Sequence, residues 1–179
     1  VIGGSGFIGS YVADHLTKNG HEVTIFDKKK SLWIKKNQKF VKGNILNLKQ
    51  LERVIQKNEA VFHFAALADL NDALNKPIET VKINILGTLN SLEASRKFKI
   101  KRFVYASSIY ASSNEGGFYK CSKKAAEDYV EEYQKMYGLN YTILRFGSLY
   151  GPRADKTNGV YKIVYDAIKN KKMKYIGSK

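Results

Sequence analysis

Short apolar runs alternate with longer amphipathic stretches along this chain. "EVTIF", "KFVK", "AVFHF", "RFVYA" and "YTILRF" are four to six residues each, rich in β-branched and aromatic side chains, and read as strands. Between them lie segments of helical periodicity: Phe7 to about Lys18, "LKQLERVIQK", Ile78 to Lys97, and Tyr119 to Met136. The opening "VI" is the tail of a strand, and the closing "MKYIGSK" reads as another strand under way. Such alternation predicts an α/β architecture with a doubly wound, mostly parallel sheet, which takes its ligands beyond the carboxyl ends of the strands. No repeat, low-complexity segment or Pro/Gly linker divides the chain, so residues 1–179 are expected to form one domain, cut at both ends.

Composition changes this picture little. With 179 residues, 44% of them hydrophobic, the chain can bury a real core. No stretch approaches the ~20 consecutive apolar residues of a membrane span, so no membrane partner is expected. The glycine-rich start carries no basic leader before an apolar run. Cys121 is the single cysteine, which excludes an internal disulfide framework and fits a reducing, cytoplasmic compartment. The net charge of +15 raises the question of nucleic acid. Its lysines are spread through "DKKK", "IKKNQK", "KFKIKR", "CSKK" and "KNKKMK" without a nucleic-acid motif, which reads as solvated surface and no nucleic-acid partner.

Candidate chemistry begins at "VIGGSGFIGS". Gly3, Gly6 and Gly9 form G-x-x-G-x-x-G, and Gly4, Gly6 and Gly9 a second, overlapping G-x-G-x-x-G. A dinucleotide pyrophosphate needs a sharp strand-to-helix turn, a bare backbone and free N–H groups at a helix N-terminus. A tight structural turn would use glycines too, but here a strand precedes, a helix follows and a second strand comes next. That second strand ends at Asp27, eighteen residues beyond Gly9, where a carboxylate can accept hydrogen bonds from ribose hydroxyls and would repel a 2′-phosphate. This favours NAD over NADP, although Lys28, Lys29 and Lys30 flank the position. Further on, "FYKCSKKAAEDYV" sets Tyr119 four residues before Lys123, on one helix face. Taken alone, that is an ordinary surface pair. His15, His21, His63 and Cys121 lack the spacing of a metal site or a Cys–His nucleophile, so no metal is expected.

In order along the chain, "GGSGFIGS", "FDK", "GNIL", "VFHFAAL", "NILGTLNSLEAS", "RFVYASSIYASS", "YKCSK" and "LRFGSLYGPR" resemble the extended short-chain dehydrogenase/reductases, the NAD-dependent epimerase/dehydratase family, which act mostly on nucleotide sugars. The resemblance implies a Rossmann-type fold, bound NAD, a nucleotide-sugar substrate, pairing into a homodimer, and a C-terminal substrate-binding part largely absent here. It assigns Tyr119 as the base toward a substrate hydroxyl, Lys123 to the nicotinamide ribose and to favouring the phenolate, and Ser108 to the reacting hydroxyl and the orientation of Tyr119. A free phenol titrates near ~10, so working at neutral pH means lowering it by about three units, roughly 4 kcal/mol. Cofactor contacts carry over to Gly3, Gly6, Phe7, Ile8, Gly9, Asp27, Asn44, Ile45, Ala65, Ala66, Leu67, Tyr119 and Lys123. Asn84 is read as mainly structural.

The sequence also departs from the family pattern. Asn44 stands where an aspartate is usual, Ser148 where an asparagine often meets the sugar, and the interval from Ser108 to Tyr119 is short. After Ser108 come Ile109 and Tyr110, where family dehydratases carry Asp-Glu and the decarboxylases a glutamate. Neither side chain moves a proton as a carboxylic acid does, which disfavours elimination and decarboxylation. The expectation is therefore a UDP-glucose 4-epimerase-like enzyme. The alternatives are an NAD(P)H-dependent sugar reductase or dehydrogenase of the same family, and a non-catalytic dinucleotide sensor.

Overall fold

The structure is a computed structural model and describes residues 1–173; the strand expected in "MKYIGSK" lies mostly outside them. Five strands form: β1 Val23–Asp27, β2 Gln38–Lys42, β3 Ala60–His63, β4 Arg102–Ser108 and β5 Tyr141–Phe146. β1 pairs with β2 and β3 with β4, both in parallel, while β5 lies beside β4. Ile2 joins the two sets through parallel bridges to Phe26 and His63. Counting that first segment as a strand, the spatial order is the 3-2-1-4-5-6 of a doubly wound dinucleotide fold, with its topological switch point between Ile2 and β3.

The helices are α1 Phe7–Lys18, α2 Leu48–Ile55, α3 Leu70–Asn75, α4 Pro77–Thr80, α5 Gly87–Lys97, α6 Gly117–Tyr137 and α7 Gly159–Asn170. β1 shows why apolar runs become central strands. Its Val23 and Ile25 pack with Ala13 and Leu16 of α1, while Phe26 points the other way into a larger core with Leu51, Ile55, Leu92, Phe103, Tyr105 and Val130. Period-two alternation with both faces apolar is what a parallel sheet covered on two sides requires. The Asn47 side chain accepts from the Gln50 N–H to start α2, and Gly138, at φ +68°, ends α6.

The long helix expected over Ile78–Lys97 is interrupted. Pro77 opens α4, residues Val81–Leu86 form a π-helical turn, and α5 continues from Gly87. The wider turn places Asn84, fully buried, toward the end of β3. α3 and α7 are elements the hydrophobic pattern did not predict.

The chain divides into two compact units, Val1–Arg145 and Phe146–Lys179. In the second, Asn158 caps α7 by accepting from the Tyr161 N–H, and Lys156 lies over the Tyr165 ring at 4.5 Å.

Candidate functional site

At the switch point the glycine turn lies against the end of β3. Gly3 has φ +77°, and a Cβ there would stand 2.5 Å from the Ala65 nitrogen; one on Gly9 would stand 2.3 Å from the Gly3 carbonyl oxygen. Only glycine allows strand, turn and helix to close so tightly. Gly6 is the exposed N-cap of α1, and no side chain caps the N–H groups of Phe7 and the residues after it, which leaves that end open to an anion. Ser5 Oγ is buried beside the turn without a hydrogen-bond partner.

Asp27 ends β1 next to this turn. One carboxylate oxygen accepts from the Ser5 N–H (3.1 Å) and the other from the Lys29 N–H (3.2 Å), which fixes the group and leaves each oxygen a free lone pair. Ala65 packs on the core and Leu67 is clamped by Asn84, whose Oδ1 accepts from the Leu67 N–H (2.7 Å) and whose Nδ2 donates to the Leu67 carbonyl (3.1 Å). Ala66 lies between them. Asn44 is fixed in place: its Oδ1 accepts from the Leu46 N–H, which leaves that oxygen a second lone pair, and its own N–H donates to Gln50 Oε1. Ile45 faces the core and would contact a ligand only from its margin.

A second cluster forms where β4 ends and α6 begins. Ser108 is buried, starts a short 3₁₀ turn over Ile109–Ser112, and accepts from the Tyr110 N–H at 3.3 Å. Tyr119 stands in the first turn of α6, with the Tyr110 ring edge-on at 6.4 Å between centroids. Burial pushes the Tyr119 phenol up; a hydrogen bond with Ser108 pulls the other way, and Tyr110 adds to the rise. Lys123 is fully buried, donates from Nζ to the Ala106 carbonyl (2.7 Å), and lies 4.9 Å from the centre of the Tyr105 ring and 5.7 Å from that of Tyr119. Burial draws its ammonium down to about 8.

Ser108, Tyr119 and Lys123 are thus brought together, with the ammonium directed at a backbone carbonyl and burial raising the phenol. A serine hydroxyl, a phenol and an ammonium at one end of a parallel sheet can relay a proton to or from a bound hydroxyl. The glycine cradle, the uncapped helix end, the orphaned Ser5 hydroxyl and Asp27 suit a dinucleotide.

Sequence reasoning missed how the two clusters are joined. Asn84 Nδ2 also donates to Ser122 Oγ (2.9 Å), and that hydroxyl donates to the Tyr119 carbonyl (2.8 Å). It also missed Glu127, one helical turn beyond Lys123, which Arg145 of β5 grips with two hydrogen bonds. The i, i+4, i+8 spacing of Tyr119, Lys123 and Glu127 was visible in the sequence and could have drawn attention to it. Among the described residues there is no cluster of His, Cys, Asp and Glu that could hold a metal, and no helix long and apolar enough to cross a membrane.

Comparison with known proteins agrees with this geometry. The Thermus thermophilus UDP-glucose 4-epimerase, solved in complex with NAD, superposes with a TM-score of 0.87 at 31% identity, covering 94% of this chain and 62% of that one. A dTDP-D-glucose 4,6-dehydratase of Dictyostelium discoideum is 32% identical over 96% of this chain and 48% of its own length. A UDP-N-acetyl-alpha-D-glucosaminuronate decarboxylase of Bacillus cytotoxicus is 33% identical over 86% and 55%. The chain therefore spans about half to three-fifths of the length of these relatives. The family profile matches residues 1–178, and with the switch-point cradle and the parallel sheet it shows that this chain belongs to the NAD dependent epimerase/dehydratase family.

Proposed function

We propose that this chain forms the NAD-binding and proton-transfer part of a nucleotide-sugar 4-epimerase. The observation that carries the reading is the second cluster: Ser108 next to Tyr119, Lys123 buried behind them, and the hydrophobic Ile109 and the phenol Tyr110 where an eliminating or decarboxylating enzyme needs a carboxylic acid. Relatives include epimerases, a dehydratase and a decarboxylase, so this feature of the chain's own residues favours the first.

In this reading Gly3, Gly6 and Gly9, with the N–H groups at Phe7 and Ile8, receive the pyrophosphate, and Asp27 accepts from the ribose hydroxyls. Ala65, Ala66 and Leu67 form the wall beside the cofactor, and Asn44 and Ile45 its adenine end. NAD held there would supply a hydride acceptor and, in its oxidised form, a positive charge. Ser108 holds the sugar hydroxyl, Tyr119 takes its proton, and Lys123 contributes positive charge from beneath. The homodimer would pair through exposed apolar residues of α4, the π-helical turn and α6, among them Ile78, Val81 and Tyr129.

The test is to incubate the full-length protein with a panel of UDP-, GDP- and dTDP-sugars, following sugar stereochemistry and NADH absorbance together. Interconversion of C4 epimers without net NADH supports the proposal. Stoichiometric change in NADH would reassign the protein as a dehydrogenase or reductase. Neither activity, with NAD still bound, would make it a sensor. Tyr119→Phe keeps the ring and removes the phenol, so turnover should drop by about two to four orders of magnitude while NAD affinity holds.

A further inference from the structure

The proton-transfer cluster contains a charged pair to which the reading above gives no role. Glu127 follows Lys123 by four residues on α6 and has no exposed surface. Arg145, from β5, donates to it from Nε (2.9 Å) and from a terminal nitrogen (2.7 Å). The Ser107 hydroxyl is buried next to the carboxylate without a well-formed hydrogen bond. Lys123, by contrast, has three N–H donors and one partner, the Ala106 carbonyl, under a roof of the Tyr105 and Tyr119 rings. A buried ammonium with a single neutral acceptor needs a nearby negative charge, because desolvation of an unpaired ion is among the largest penalties in a protein interior.

We propose that the Glu127–Arg145 pair is a positioning element of this site: Glu127, locked by Arg145, is the counter-charge that holds the Lys123 ammonium in its seat against the Ala106 carbonyl. Other titratable groups around Lys123 do not fill that place. Tyr105 and Tyr119 are phenols, both pushed up by burial and so kept neutral. The His63 imidazole is drawn down to about 3 by burial and by the Lys123 charge, and is likewise neutral. Glu127 is the anion: burial pushes its carboxyl up, but the two hydrogen bonds and the charge of Arg145, with the nearby Ser107 hydroxyl, outweigh this and leave it below the ordinary carboxylate value. Its charge raises Lys123, against the burial that lowers it. Arg145 keeps the carboxylate ionised, and its side chain opens to solvent on the far side, so its own charge is partly screened.

This proposal rests on the reading of Tyr119 and Lys123 as the reacting pair, but its test does not depend on turnover. The full-length protein would be labelled with ε-¹³C lysine, the Lys123 resonance identified by its loss in Lys123→Arg, and its titration followed by NMR without substrate. In Glu127→Gln the Lys123 midpoint should fall by about two pH units, the field of one charge at the ~5–6 Å spacing of i,i+4 helix neighbours with an effective dielectric near 20. Glu127→Leu with Arg145→Leu replaces the pair by packing, restores folding if the single change impairs it, and should still lower the midpoint. An unchanged midpoint in both variants, whatever happens to stability, would make the pair a clamp between α6 and β5 and overturn the proposal. So would a fall confined to Glu127→Gln, since it would trace to unpaired Arg145. Full turnover by Tyr119→Phe would instead refute the functional reading and leave the titration result standing.

Discussion

Lys123 should destabilise the fold it belongs to. Its ammonium titrates at about 8 in the folded protein against an ordinary value of 10.5, so the unfolded chain binds the proton more tightly. Stability rises with pH wherever the unfolded state binds more protons. The penalty is therefore fully present below pH 8 and is relieved as pH rises from about 8 to 10.5. At about 1.4 kcal/mol per unit, the shift, set by burial and partly offset by Glu127, corresponds to a penalty of about 3 kcal/mol at pH 7. Lys123→Met keeps the length of the side chain and removes the charge. It also leaves the Ala106 carbonyl without its partner, at a cost of about 1–2 kcal/mol. The variant should thus be more stable than the parent by about 1–2 kcal/mol at pH 7, with the advantage gone or reversed near pH 10, while losing activity. Urea unfolding at both pH values measures the difference. A Met variant less stable at pH 7, or an advantage that does not shrink with rising pH, would refute the argument that the lysine is held at a cost to folding.

Gly9→Ala forces a Cβ to within 2.3 Å of the Gly3 carbonyl oxygen and 2.9 Å of the Gly4 Cα, both backbone atoms, so the turn must open. Expected are a loss of about 1–3 kcal/mol in urea unfolding and at least tenfold weaker NAD binding by calorimetry; wild-type values for both would contradict the cradle. His63 titrates at about 3 folded against 6.5 ordinarily, so its contribution is lost as pH falls from 6.5 toward 3, with a slope approaching about 1.4 kcal/mol per pH unit. In His63→Phe that part of the acid slope should vanish, and an unchanged slope would assign it to other groups. Asp27→Ala should narrow the preference for NAD over NADP, and equal affinity of the unaltered protein for both would dismiss the carboxylate as the discriminator.

The strands were legible because their signal is local: "YTILRF" is β5 to the residue, and "EVTIF" and "KFVK" differ from β1 and β2 by one position. The glycine turn was equally legible, since its spacing encodes backbone geometry. What stayed hidden depends on contacts remote in sequence. Periodicity over 78–97 predicts an unbroken helix, and the π-helical turn that brings Asn84 inward makes sense only with Leu67 and Ser122 in place. α3 carries a single buried residue, Ala73, too little for a periodic signal. For the site, order along the chain picked out Ser108, Tyr119 and Lys123. It did not show that the lysine would face Ala106, or that burial would raise the phenol, because desolvation is a property of the assembled core.

Asn84 has a kinetic consequence. One side-chain amide holds the Leu67 backbone on one side and, through Ser122, the first turn of α6 on the other. The Leu67 N–H cannot be released to solvent without breaking that amide's bond, and the same displacement loosens its link to the helix that carries Tyr119. The strand end and the helix start therefore belong to one cooperative opening unit, with exchange of the Leu67 amide reporting its free energy. Opening of this strand end is thereby coupled to the first turn of the helix that carries Tyr119, and Asn84→Ala should speed exchange of the Leu67 amide.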